Sequence, residues 1–366
     1  MNINAKITGI EYQSKLTSKL KQIDINDFNI NDMPASCIIS DGSFSFGLSK
    51  WVSPKRTRSY PYERIYNTLG NSKKLTVIPI LKDEGKNGDR DFIQWDTVSL
   101  MSLLDIFVIF AYYDKAEKHS NKDDKITNQK FNNAYIKSKI SEIKSYHSSA
   151  LHWNLKEIEY SLPELIHKAK ASYNKIGNNL KIKFHNEKGI DNFSNQFING
   201  VKEFMNTSRQ KAQDAQIREM QTVQPKEALS TLTKATITIE NYLGGKYYFT
   251  TDEIKIDNKD VYLIEGKHSI NSKLPNIGDI KDGLLKMILY TNLKEVKIND
   301  IVFNSIPVIK LTSTKINGSI QSTDKKDKID NFIANQTYTK RQKEIIKNIF
   351  IEAKENNFLI FIEHAK

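Results

Sequence analysis

Between residues 246 and 269 the chain reads KYYFTTDEIKIDNKDVYLIEGKHS. Residues 253–257 alternate in polarity, and 261–264 are apolar. Asn258 and Lys259 stand between them, and Asn tolerates the left-handed backbone of a tight turn. The spacing predicts a β-hairpin. If Asp257 faces Asp260, the register places Asp252 opposite Glu265. Directly opposed residues of an antiparallel pair have Cβ atoms about 4.5–5.5 Å apart on one face. Lys267, two residues beyond Glu265, points to the same side. Two carboxylates that close repel, so one is hard to ionise unless a cation joins them. Mg²⁺ suits such a place because it takes oxygen ligands and keeps several waters. It would acidify a water and stabilise charge on a phosphoryl oxygen, and a nearby lysine would orient the water or hold the phosphate. This is a workable arrangement for phosphodiester hydrolysis.

Glu-x-Lys alone carries little information. The chain has six such pairs: Glu84/Lys86, Glu142/Lys144, Glu253/Lys255, Glu265/Lys267, Glu295/Lys297 and Glu352/Lys354. Only Glu265/Lys267 ends an apolar strand with an acid placed opposite. Glu84/Lys86 also follows a strand, at 75–81, but lies in a Gly/Asn/Asp loop. The competing explanation of Glu265/Lys267 is a salt-bridged strand end.

The pattern Asp252…Glu265-Gly266-Lys267 resembles the active site of the PD-(D/E)XK nuclease superfamily. The text after it, LPNIGDIKDGLLKMILYTNL at 274–293, resembles the following helix in type II restriction endonucleases. Residues 49–64, SKWVSPKRTRSYPYER, and 89–96, DRDFIQWD, are similar to restriction-enzyme text as well. Together these cover about 60 of the 366 residues. The resemblance implies a mixed β-sheet core flanked by helices and Mg²⁺-dependent cutting of double-stranded DNA. It implies that Asp252 and Glu265 ligate the metal, helped by the Gly266 carbonyl, while Lys267 assists the attacking water. Two-strand cutting suggests a homodimer with one site per strand, with a monomer that has a separate reading domain and an offset cut as the alternative. The resemblance implies a cognate DNA methyltransferase in the same restriction-modification system. Thr251 stands where the family pattern has Pro. Such sites often add an acid from a preceding helix. Glu240 is the candidate for it, or is simply a surface residue.

The elements that must hold these groups follow from periodicity. Residues 14–23 have a helical pattern, 62–69 read as a short helix, and 75–81 and 92–95 as strands. A helix over 96–104 and a buried strand over 106–113 come next. From 115 to 224 the period is 3.6, with helices over 131–146, 151–173 and 193–220 broken at Gly177 and Gly189. Residues 235–311 return to β text with one helix at 278–293. A basic amphipathic helix at 338–354 and an apolar strand at 358–362 close the chain. The expected class is α/β (α+β), with a restriction-endonuclease-like core and an additional helical region. The expected division is 1–114, an α/β region with a DNA-recognition segment; 115–225, helical; and 226–366, the catalytic core.

The chain has 366 residues, 39% apolar and 27% charged, which suits a folded protein with a sizeable core. Lys plus Arg number 55 against 43 for Asp plus Glu, a surplus of 12 that points to an anionic partner. The many Asn, Ile and Lys also fit a coding bias. One cysteine, Cys37, excludes an internal disulfide and a multi-Cys zinc site. The seven histidines lack zinc-ligand spacing. The polar start and the shortness of the longest apolar run, 106–113, predict a cytoplasmic protein with no membrane partner.

Arginine is scarce, with seven in the chain, yet Arg56, Arg58, Arg64 and Arg90 fall within 35 residues. Lysine-rich coding does not explain that cluster. The guanidinium fork suits phosphates and guanine edges. Lys50 and Lys55 would touch phosphate and position without specifying. Trp51, Tyr60, Tyr62 and Tyr66 would stack or pack. A surface salt-bridge network is the alternative. The tail helix, with Lys340, Arg341, Lys343 and Lys347, either tracks phosphate or is solvated. Gly244-Gly245 is a turn, with no phosphate-loop residues after it.

The order of elements over 75–113 faintly echoes that of 246–309, and Asp89, Asp91, Gln94 and Asp96 cluster there. These are either remnants of a degenerate catalytic core or ordinary surface acids with Asp96 opening a helix. The second is the simpler expectation. The expected function is a type II restriction endonuclease. The alternatives are a modification-dependent or repair-type nuclease on the same core and a non-catalytic basic DNA-binding protein.

Overall fold

The computed structural model describes residues 1–55, 61–197, 201–221, 234–241 and 246–365. The fold is mixed α/β, with several separate sheets and helices packed on them. The chain divides into two compact units, one of residues 1–18 with 210–366 and one of residues 19–209. The expected three-part division therefore does not follow the folding units. The helical region joins the α/β text before it, and the first residues belong with the C-terminal part. The reason is strand pairing: Asn2–Ile7 lies parallel to Ala235–Asn241 and antiparallel to Lys294–Ile298.

The discontinuous unit carries two sheets. One runs Lys246–Thr251, Ala235–Asn241, Asn2–Ile7, Lys294–Ile298, Ile301–Val302. The other runs Glu253–Asp257, Asp260–Ser269, Asn304–Ser313, Leu359–His364, Ser319–Gln321. In this second sheet the first pair is antiparallel, the next two are parallel and the last is antiparallel. Val261, Leu263, Val308, Ile309, Leu311, Ile360 and Ile362 are buried, as expected for strands covered on both faces. The helix Ile277–Tyr290 connects two of the parallel strands. Asn276 caps it by accepting from the Asp279 N–H at 2.9 Å, and its Leu284, Leu285 and Ile288 are buried.

The 19–209 unit holds the sheet Gln22–Asp24, Ser36–Ser40, Ser45–Lys50, Lys73–Pro79, Ile106–Ala111. Ile106–Ala111 is buried at every position, the continuous apolar strand that its text predicts. Helices Trp95–Leu103, Asn133–Lys144 and Ala150–Lys156 pack on that strand.

Three local expectations fail for identifiable reasons. Residues 14–21 form no helix. The N–H groups of Lys15 and Leu16 donate to Glu352 Oε2 at 2.8 and 3.1 Å, and that of Gln13 to Asn356 Oδ1 at 2.7 Å. Tertiary acceptors thus replace the bonds of a helix. Residues 113–131 hold a hairpin, Tyr113–Lys118 with Ile126–Phe131, where helical text was expected to begin. Its polar strands are pinned by stacking of Tyr113 on Phe131, ring centroids 4.3 Å apart. Gly177 lies inside the helix Leu162–Leu180 and does not break it; the returning Ile182 N–H donates to the Gly177 carbonyl at 3.0 Å. A Cβ at Gly177 would stand 3.1 Å from the Ile182 oxygen, so glycine permits that close return.

Asp91 and Asp96 are not surface acids; they are 3% and 1% exposed. Asp91 accepts from Ser53 Oγ at 3.1 Å and pairs with Lys55 Nζ at 2.5 Å. Among the described residues no helix is long and apolar enough to cross a membrane.

Candidate active site

The hairpin has the predicted register, from Asp257 opposite Asp260 to Glu253 opposite Ile264. Asn258 takes a left-handed φ of 54° at the turn. The ladder stops at Glu253, and Asp252 occupies a bend after the strand Lys246–Thr251. Strand Asp260–Ser269 continues past that point, supported by its parallel neighbour Asn304–Ser313 along its whole length. The break frees Asp252 to turn towards the neighbouring strand. Its Oδ2 accepts from the Gly266 N–H at 2.8 Å.

Glu265 is 1% exposed. Its Oε1 accepts from Lys267 Nζ at 2.8 Å and its Oε2 from Lys286 Nζ at 2.7 Å. Burial opposes the Glu265 charge, but Lys267 and Lys286 outweigh it and hold the pKa below the ordinary value. Burial likewise opposes both ammoniums, and Glu265 outweighs it for each, raising Lys267 and raising Lys286 well above 10.5. Asp252 differs. Burial first, and then the Glu265 charge, push its pKa up from 3.8 to about 6. One carboxylate is thus already neutralised by two cations, while the other is short of positive charge.

Lys286 escaped the sequence reading. It lies on the helix Ile277–Tyr290, three residues after Gly283 and so on the same face. A Cβ at Gly283 would meet Lys267 Cε at 3.4 Å and Glu265 Cγ at 3.8 Å. The glycine lets the helix lie close over the strand, and Lys286 reaches the same carboxylate from above it. A single lysine inside Gly-Leu-Leu-Lys-Met-Ile-Leu-Tyr was the available signal: an apolar run tolerates an ammonium only where an anion receives it.

The donor set fits a divalent cation. The buried Glu265 carboxylate, the half-buried Asp252 carboxylate and the Gly266 carbonyl are oxygen donors. A carboxylate oxygen has more than one acceptor site, so the ammonium bonds to Glu265 leave capacity for a further partner. The raised pKa of Asp252 marks a position where added positive charge is favourable. Among the described residues no group of three or more His, Cys, Asp and Glu side chains forms a metal centre. The candidate set is therefore the two-acid one.

Glu240 lies apart in character. It is exposed, on the strand Ala235–Asn241 and not on a helix, in register with Lys6 and Lys246. Its charge acts on Lys6. The surface reading of Glu240 is the one the structure matches. Glu84, the rival acid, is held by Lys82 and Lys125 at 2.9 and 3.3 Å.

The arginine-rich segment divides. Arg56, Arg58 and Tyr60 lie outside the described residues, as do Gly244 and Gly245. Trp51 is 1% exposed and Tyr66 is fully buried, so both pack and neither is presented for stacking. Arg64 is half-buried and donates to the Lys50 carbonyl. Arg90 donates to the Asn186 carbonyl at 2.7 Å and lies over the Phe92 ring, 5.5 Å from its centroid. Lys50 donates to the carbonyls of Ile30 and Met33 at 2.8 and 3.0 Å. The Lys55 bond to buried Asp91 engages that side chain too. Lys50, Lys55, Arg64 and Arg90 therefore each hold part of their own unit together.

No family model, no curated protein and no solved structure matches this chain.

Proposed function

We propose that the chain is a DNA-cleaving hydrolase of the type II restriction-endonuclease kind. The supporting observation is the meeting of Asp252, Glu265, Lys267 and Lys286 where the hairpin ladder ends and the longer strand continues. The restriction-endonuclease-like reading of the core rests on the same sheet, with its hairpin, connecting helix and parallel strands.

Asp252, Glu265 and the Gly266 carbonyl would hold Mg²⁺. When bound, the ion supplies positive charge to phosphoryl oxygens and acidifies water. The protein's own part is separate. Lys267 and Lys286 fix the Glu265 carboxylate in one orientation and keep it ionised. They also bring two ammoniums to a place where a pentacovalent phosphorus would carry extra negative charge. Lys267 is the better placed to orient a water, because it extends from the strand that carries Glu265. Double-stranded DNA is the proposed substrate and a homodimer the proposed assembly, since two-fold enzymes match palindromic sites. A cognate methyltransferase would protect the host's DNA, and the proposed location is the cytoplasm.

The test is direct. Purified protein is incubated with unmethylated and methylated DNA, with Mg²⁺ and then with EDTA. Discrete fragments from unmethylated DNA that vanish with EDTA are expected. Cutting of methylated DNA alone would replace the reading by a modification-dependent nuclease. Band retardation without cutting, in the presence of Mg²⁺, would reduce the chain to a DNA-binding protein.

A further inference from the structure

The two units share an order of elements. In the 19–209 unit, an antiparallel hairpin (Ser36–Ser40 with Ser45–Lys50) is followed by the helix Pro61–Tyr66 and the strand Lys73–Pro79. The helix Trp95–Leu103 and the strand Ile106–Ala111 come next. From Ser36–Ser40 onward the sheet contacts run antiparallel, parallel, parallel, and Gln22–Asp24 adds a parallel edge strand before them. The sheet that carries Glu265 has the same sequence of contacts from Glu253–Asp257 through Asp260–Ser269 and Asn304–Ser313 to Leu359–His364, again with helices in the connections. The correspondence spans 36–111 and not 75–113, because the hairpin at 36–50 belongs to it.

The chemistry differs at the matching place. In the one unit the hairpin ladder ends at Ile264, and the next residue is Glu265. In the other it ends at Ser49, and the next residue is Lys50. An acid is replaced by a base. A cavity of about 720 Å³ opens there. It is lined by residues at or just beyond the carboxyl ends of all three parallel strands: Lys50, then Lys82, then Tyr113. Carboxyl ends of parallel strands are the usual place for ligands in open α/β sheets. Its charged lining is Lys50, Lys82, Lys125 and Lys130 against Glu84 and Glu117. Glu84 holds Lys82 and Lys125 on one carboxylate, so two ammoniums are fixed side by side. An ammonium has three donors; Lys50 spends one on each of two carbonyls, which orients it at the rim.

We propose that this cavity is a phosphate-binding subsite for a nucleic-acid strand, one that holds and does not hydrolyse. Four lysines against two glutamates leave a positive surplus matched to a phosphodiester. Among the described residues, Lys50 and not an acid follows the corresponding ladder end. The choice of nucleic acid as the partner rests on the nuclease reading; the phosphate chemistry does not.

The experiment uses the full chain in EDTA, where cleavage plays no part. Lysines of the wild-type protein are acetylated with an amine-reactive reagent, alone, with a 12-base-pair duplex, or with dAMP, and mapped by mass spectrometry. Protection of Lys82, Lys125 and Lys130 by the duplex is expected. Protection by dAMP as well would also support the site and would extend it to free nucleotides. Duplex affinity is then read by fluorescence anisotropy for Lys125→Ala combined with Lys130→Ala. Two lost phosphate contacts should weaken binding about tenfold and lower the salt slope by about 2. Absence of protection by either ligand overturns the proposal, whatever the variants do. Cleavage that fails while protection persists would sink the nuclease reading alone. Cleavage without protection would sink only the subsite.

Discussion

Lys286 Nζ lies 2.7 Å from Glu265 Oε2, and Lys267 Nζ lies 2.8 Å from the other oxygen of the same carboxylate. A helix and a strand thus grip one buried anion from two directions. Charge-assisted bonds on both oxygens fix its plane as well as its position. Asp252, bonded to the Gly266 N–H, completes a cluster in which the second acid is the one lacking a cation.

Removing Lys286 tests the helix side of that grip. Lys286→Met should keep the helix and lose one charge-assisted bond, at a cost of about 1–3 kcal/mol in unfolding free energy. Cleavage should fall, because the Glu265 carboxylate is held at one oxygen only. Wild-type cleavage by this variant, measured on a single-site plasmid, would show Lys286 to be structural only.

Glu265→Ala leaves two half-buried ammoniums without their shared anion. Metal-free stability should fall by about 3–5 kcal/mol, as when a buried pair loses one member. Lys267→Ala should be milder in denaturant melts. Both should abolish cleavage and keep DNA binding, since phosphate contacts elsewhere carry affinity. Gel retardation alongside the cleavage assay separates the two; cutting at the wild-type rate by either variant would remove the residue from the mechanism.

The pKa of Asp252 gives a pH window with a definite sign. Its folded value, about 6, lies above the ordinary 3.8. Between these values the folded chain keeps a proton that the unfolded chain has released. Ionising Asp252 therefore costs the metal-free fold stability as pH rises through the window, by about 3 kcal/mol in all. A cation relieves that cost, and its binding releases the proton. Stabilisation by Mg²⁺ in thermal melts should thus grow with pH up to about 6 and level off above it. Asp252→Asn should flatten this dependence, and an unchanged profile in that variant would assign the titration elsewhere.

Gly266 and Gly189 should respond in opposite ways to alanine. A Cβ at Gly266 would meet Asp252 Oδ2 at 3.6 Å, an ordinary contact, so Gly266→Ala should fold and keep its melting temperature. A Cβ at Gly189 would overlap the Arg90 guanidinium, and Arg90 is anchored on Asn186. Gly189→Ala should lower stability by about 1–3 kcal/mol, the usual range for overpacking. Equal melting temperatures for Gly189→Ala and wild type would mean that the guanidinium moves aside freely.

The arginines make a further comparison. Arg90→Ala should reduce stability by about 1–3 kcal/mol through its lost carbonyl bond and ring contact and leave base preference alone. Arg56→Ala or Arg58→Ala should do the reverse, costing about 1–3 kcal/mol of discrimination between sites. Binding to a panel of duplexes checks both; loss of preference in the Arg90 variant would return it to the DNA-reading group.

The amino-acid sequence by itself determined the hairpin, its turn and its register. Those depend on alternation and on one Asn that accepts a left-handed backbone, all within 17 residues. It likewise determined the buried strand at 106–111, because an unbroken apolar run of that length has no other place to lie. It named Asp252, Glu265 and Lys267 from local spacing alone. Only the tertiary structure decided that Lys286 joins them: the apolar run around it signals that an anion receives the ammonium, but not which one. The same holds for residues 14–21, whose helical pattern lost to acceptors on Glu352 and Asn356, more than 300 positions away. It holds too for the pairing of Asn2–Ile7 with the distant strands Ala235–Asn241 and Lys294–Ile298. Long-range hydrogen bonds and burial outweigh local propensities of a few tenths of a kcal/mol per residue, and where they compete the local pattern does not show the winner.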